Sequence, residues 1–122
     1  MSRAKLPVAG FFLFSGIAHL TFAKKFFEDI VPPWLPASPE AVNITAGVAE
    51  AAGGALALVP GQERLARRYL TALLLAVFPA NINMTLRPQD SKTASKASPV
   101  VLWGRLPLQF VAIAWVQRSL RD

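Results

Sequence analysis

Residues 66–86 read ARRYLTALLLAVFPANINMTL. After Arg67 and Arg68 the stretch stays apolar over the roughly 20 helical residues that a bilayer core of about 30 Å requires, and Pro79, Asn81 and Asn83 lie towards its far end. Leu6 to Ala23, Val42 to Val59 and Val100 to Val116 repeat the theme of a long apolar run with isolated polar residues inside it. The expected fold class is therefore all-α, a four-transmembrane-helix bundle running up-down-up-down. It would form one transmembrane domain over residues 1–122, with spans at about 6–23, 42–59, 66–86 and 100–116. The second span is the weakest, because Glu50 sits near its middle and Gly53-Gly54 dilutes it.

Composition agrees with a membrane setting. Of 122 residues, 53% are hydrophobic and 16% charged, against about a quarter charged in a soluble domain. The absence of cysteine excludes disulfide scaffolds, thiol relays and Cys-ligated metals, and a single histidine excludes a His-rich cage, so no metal site is expected. The net charge of +6 raises the question of nucleic acid. The basic residues, however, bracket the apolar runs and form no face, which is a topology signal and excludes a phosphate-tracking groove.

The links point the same way. Residues 24–41 carry Pro32, Pro33, Pro36 and Pro39 around Trp34, predicting a short amphipathic turn at Phe26 and Phe27 and then an extended lid on the membrane. Trp34 and Trp103 read as interfacial belt residues. Pro60-Gly61 is a turn signal, and the Ser/Lys-rich link from Arg87 to Pro99 reads as mobile. Seven Lys/Arg (Arg3, Lys5, Arg64, Arg67, Arg68, Arg118, Arg121) flank one side and five (Lys24, Lys25, Arg87, Lys92, Lys96) the other. That bias places both termini in the cytoplasm. A cleaved leader over residues 1–23 fits less well, because the apolar run is long, contains His19 and ends without a small-x-small site.

Ionisable and amide groups inside apolar spans are costly and mark sites. They are His19, Glu50, Asn81, Arg105 and Gln109, and at 1.5 Å per residue all fall roughly 6 to 14 Å below one end of the spans. Ser15 with His19, and Arg105 with Gln109, stand four residues apart on one helix face. Gly47, Glu50 and Gly54 share another, where small residues admit a neighbouring backbone. The economical pairing is Glu50 with Arg105, with His19, Asn81 and Gln109 completing the network. Two readings of the cluster stay open. One is interhelical architecture; the other is a ligand pocket in which Arg105 and Asn81 bind a carbonyl or anionic group and His19 relays a proton.

Gly16-Ile17-Ala18-His19, Val31-Pro32-Pro33-Trp34-Leu35-Pro36, Gly47-Val48-Ala49-Glu50, Phe78-Pro79-Ala80-Asn81-Ile82-Asn83-Met84 and Leu102-Trp103-Gly104-Arg105-Leu106-Pro107-Leu108-Gln109 occur in that order. Together they resemble the DoxX-like family of small membrane proteins, over nearly the whole chain. The resemblance implies a four-helix bundle in the bacterial cytoplasmic membrane, associated with membrane redox complexes or with assistance to other membrane proteins. One branch of that family handles disulfides, which a chain without cysteine does not do. A redox role would need a bound quinone or a partner subunit.

The leading expectation is thus a DoxX-like integral membrane protein whose polar cluster binds a quinone or another small lipophilic ligand. The alternative is a non-catalytic subunit or assembly factor that holds a membrane redox partner or another protein, with the cluster purely structural. A transporter or channel would require a homo-oligomer. Beyond the lipid bilayer and such a protein partner, no nucleic acid is expected.

Overall fold

Two serine-proline pairs start helices. Ser38 Oγ accepts the Ala41 N–H at 3.1 Å and Ser98 Oγ accepts the Val101 N–H at 3.3 Å, each with proline following as the first helical residue. The serine satisfies an otherwise orphaned donor, and the proline has none to lose. The computed structural model describes residues 3–90 and 96–121, and every regular element among them is helical. The elements are α1 (Lys5–Leu20), α2 (Lys24–Asp29), α3 (Pro39–Ala57), α4 (Glu63–Leu86) and α5 (Pro99–Ser119), with one 3-10 turn at Pro88–Asp90. Gly61, at φ +85, reverses the chain between α3 and α4 in a backbone region that side chains disfavour.

Among the described residues, only α4 and α5 are long and apolar enough to cross a membrane. The expected bundle of four transmembrane helices is corrected accordingly: the fold is all-helical, but two helices qualify. α1 has 16 residues, or about 24 Å at 1.5 Å per residue, short of a core of about 30 Å. Its apolar run continues to Ala23, but the helix stops at Leu20. Thr21 leaves helical angles (φ −128, ψ −109) and returns its hydroxyl to the Ile17 carbonyl at 2.7 Å. α3 has 19 residues, but Glu40, Asn43, Glu50 and its glycines make it too weakly apolar. In α4 and α5 only 17% of the apolar window is buried inside the chain. That separates them from the mostly buried core helices of a soluble domain and leaves apolar faces exposed on the outside of the chain.

α1 packs most extensively on α3, and glycines explain how. A Cβ on Gly16 would stand 2.5 Å from the Gly47 carbonyl oxygen and 2.6 Å from the Ala51 nitrogen, and one on Gly54 would stand 2.8 Å from the Ala9 oxygen. The two backbones touch. On its other side α3 meets α4 where Gly53 faces Tyr69 and Leu70, and the Tyr69 hydroxyl donates to the Ala49 carbonyl at 2.6 Å. α4 and α5 pair with each other, and α5 makes little contact with α1.

The apolar core lies at one end of this assembly. Val8, Ala9 and Phe12 of α1 meet Ala57 of α3, Ala66 and Leu70 of α4, and Val116 with Leu120 at the end of α5. Lys5 Nζ reaches Glu63 Oε2 at 3.0 Å and ties α1 to α4 there. At the opposite end the core thins to Met84 and Leu102 with Ile30 and Ala97 beside them. The amphipathic turn expected at Phe26 and Phe27 is α2, and residues 30–38 follow as turns and bends. Part of the link expected to be mobile, residues 91–95, lies outside the described residues.

Candidate functional site

Where the core thins, the five helices and the segment after α2 line a half-open cavity of about 440 Å³. His19, Glu50, Asn81, Arg105 and Gln109 all line it. Its remaining wall is mostly apolar, with Phe11, Phe12, Phe27, Leu73, Leu74 and Val77 among the lining side chains, and Trp34 and Leu35 lie over it. Volume and lining fall within the range of small-molecule sites. A smaller concavity lies beside Thr85, Pro88, Leu102 and Trp103, and among the described residues no ionisable group lines it.

The close approach of α1 and α3 sets the first half of the site. Gly16 and Gly47 hold the backbones together, and His19 and Glu50, each three residues further along its helix, then meet with Nε2 2.7 Å from Oε2. Ser15 Oγ donates to the other carboxylate oxygen at 2.6 Å. Asn43 Nδ2 donates to the His19 carbonyl at 2.6 Å, which turns its Oδ1 towards His19 Nδ1 at 2.7 Å. That oxygen only accepts, so Nδ1 carries a hydrogen. Nε2 and Glu50 then share one further proton between them, in a pair whose two side chains are 11% and 13% exposed. Phe27 stacks on the imidazole at 3.6 Å between centroids and 16° between planes, fixing the ring.

Prolines set the second half. Pro79 in α4 and Pro107 in α5 lack the N–H that closes a helical turn, and each ring crowds the turn before it. Side-chain bonds cross between the two helices close to these prolines. Gln109 Nε2 from α5 donates to the Leu74 carbonyl of α4 at 2.6 Å, and Thr85 Oγ1 from α4 lies 3.0 Å from the Leu102 carbonyl of α5. Each of those carbonyls stands five residues before its helix's proline, one residue before the carbonyl that the missing proline N–H leaves free. Gln109 Oε1 in turn accepts from Asn81 Nδ2 at 2.9 Å, so Gln109 is bonded at both ends.

The expected pairing of Glu50 with Arg105 is not made. Glu50 spends its oxygens on Ser15 and His19. Among the described residues Arg105 Nη1 has only the Met84 sulfur, 4.0 Å away, and no carboxylate pairs with Arg105. The reason is helix adjacency. α3 lies against α1 through glycine, which delivers His19 to Glu50, whereas Arg105 projects from α5 on the other side of the cavity. Asn43 was not among the candidates read from the sequence, because it stands at the very start of the expected span 42–59. The missed signal was spacing: Asn43, Gly47, Glu50 and Gly54 fall on one helix face. Among the described residues no three His, Asp or Glu side chains gather as a metal would need.

The class defined by this geometry is an all-helical protein with two helices suited to a membrane and a partly polar cavity between its helix pairs. The chain matches the family described as Domain of unknown function (DUF8561) over residues 8–120, and it belongs to that family. No curated protein and no solved structure matches it.

Proposed function

We propose that this is a membrane protein that takes a small lipophilic ligand into the cavity beneath residues 30–35. The supporting observation is the cavity itself. About 440 Å³ of mostly apolar wall carries the polar residues of four helices on its inner side, whereas the opposite end of the molecule is packed solid. The outward apolar faces of α4 and α5 supply the membrane setting. The resemblance to DoxX-like proteins makes a quinone serving a membrane redox process the first ligand to try, with Arg105 and Asn81 addressing its carbonyl oxygen. Arg64, Arg67 and Arg68 at the start of α4 and Arg118 and Arg121 at the end of α5 favour a cytoplasmic position for that end in a bacterial cytoplasmic membrane.

The test uses the full chain in lipid nanodiscs titrated with a short-tailed quinone, reading tryptophan quenching and subtracting partition into empty nanodiscs. Saturable binding lost in Ala46→Phe and Ala80→Phe, which fill the cavity, is the expected result. Quenching that neither saturates nor responds to those substitutions overturns the reading.

A further inference from the structure

The hydrogen-bonding capacity of the cavity wall is unevenly spent. Both ring nitrogens of His19 face acceptors, both oxygens of Glu50 are engaged, and Asn43 is bonded through both ends of its amide. Gln109 is closed between Leu74 and Asn81. His19 and Glu50 share their proton, so as a pair they add no net charge whichever side holds it. The one unspent charge is the Arg105 guanidinium: several N–H donors, one thioether sulfur at 4.0 Å, and no carboxylate partner among the described residues. A ligand head entering here meets the Arg105 donors, with Asn81 Oδ1 as an acceptor on the same wall, and a half-buried cation that a counter-charge would stabilise.

We infer that the occupant is a lipophilic carboxylic acid bound as its anion, its head on Arg105 and its apolar body among Phe11, Leu73 and Val77. This rests on the ligand-binding reading above and names the head group. The planar guanidinium fork matches a carboxylate through two parallel hydrogen bonds, which a neutral alcohol does not reproduce. The cavity of about 440 Å³ is of the size that takes a compact small molecule. Two sources supply acids of that size, a medium-chain fatty acid drawn from the bilayer and a compact ring acid from solution.

The experiment measures binding of laurate, 2-naphthoate and neutral dodecanol to the whole protein in nanodiscs, with partition into empty nanodiscs subtracted. The wild type should bind one of the acids at least about tenfold tighter than dodecanol, the scale of one charge-assisted hydrogen-bonded contact. Tighter laurate points to the bilayer as source, and tighter naphthoate to solution. Arg105→Gln should bring the acid down to the dodecanol level without changing dodecanol, and Arg105→Lys should restore part of the difference. Equal binding of acids and dodecanol by the wild type overturns the anionic head while leaving a lipophilic cavity. Failure of all three probes to saturate, in the wild type and in Ala46→Phe alike, overturns the ligand-binding reading itself. The comparison within the wild type decides the head group even if Arg105→Gln does not fold.

Discussion

The two ends of the molecule solve opposite problems with the same helices. At one end Val8, Phe12, Ala57, Ala66, Leu70, Val116 and Leu120 are buried completely or nearly so. At the other the helices line a half-open cavity of about 440 Å³, and polar groups bond one another across it. The packed end uses apolar side chains whose only requirement is to fill space, so it can be tight. The polar end requires partners at fixed distances, and those are met by His19 with Glu50 and by Asn81 with Gln109. The contrast teaches that the polar groups stand at the cavity because the helices stop filling space there.

Substitutions can break that contrast, beginning with the contact that both ends share. Gly16→Val pushes α1 off the α3 backbone and should destabilise the fold by about 3 kcal/mol or more. The same change at Gly10, where an added Cβ meets nothing within 4 Å, should cost about 1 kcal/mol or less. Denaturant unfolding of the two variants measures the difference. At the packed end Leu70→Ala should cost about 3 kcal/mol as a cavity forms, whereas Leu73→Ala, on the wall of an existing cavity, should cost clearly less. Similar losses at the two leucines would mean that the cavity end is as tightly packed as the core.

Smaller effects sharpen the comparison. His19→Ala leaves a buried carboxyl without its partner and should cost about 2 kcal/mol. Adding Glu50→Ala should cost less than the sum of the single changes, with a coupling of roughly 0.5 to 3 kcal/mol in a double-mutant cycle. Arg105→Met should be neutral or stabilising by about 1 kcal/mol in the ligand-free protein, because it removes a half-buried cation with no carboxylate partner among the described residues. A loss of stability there would reveal a partner for Arg105 and remove the anion argument. Trp34→Phe, which gives up the indole donor to Asn83 Oδ1 at 3.0 Å, should cost only about 0.5 kcal/mol. It should nevertheless speed ligand exchange, read by stopped-flow quenching.

Much of this was legible in the sequence where a residue's own chemistry decides its environment. The Pro60-Gly61 turn and the gathering of His19, Glu50, Asn81, Arg105 and Gln109 follow from local rules, whereas sequence reading misses the helix starts at Ser38-Pro39 and Ser98-Pro99, placing Pro39 in the extended lid. Hydropathy alone misled at α1 and α3. An apolar run ending at Ala23 does not reveal that Thr21 will stop the helix at Leu20, and a count of apolar residues in α3 gives too little weight to Asn43 and Glu50. Pairing Glu50 with Arg105 followed charge, but the partner is chosen by which helices touch. That choice lay in Gly16 and Gly47, whose significance appears only when both backbones are in place.

The glycine contact has a consequence for how the protein accommodates molecules of different size. With their main chains in contact, α1 and α3 behave as one fixed jaw, and His19 and Glu50 cannot separate without prying it open. α4 and α5 each lack a ladder hydrogen bond at an internal proline and are tied together nearby by replaceable side-chain bonds from Gln109 and Thr85, so they form the movable jaw. A larger guest would therefore be admitted by yielding at Pro79 and Pro107, and distance labels placed across α1 and α3 should stay still while those on α5 shift.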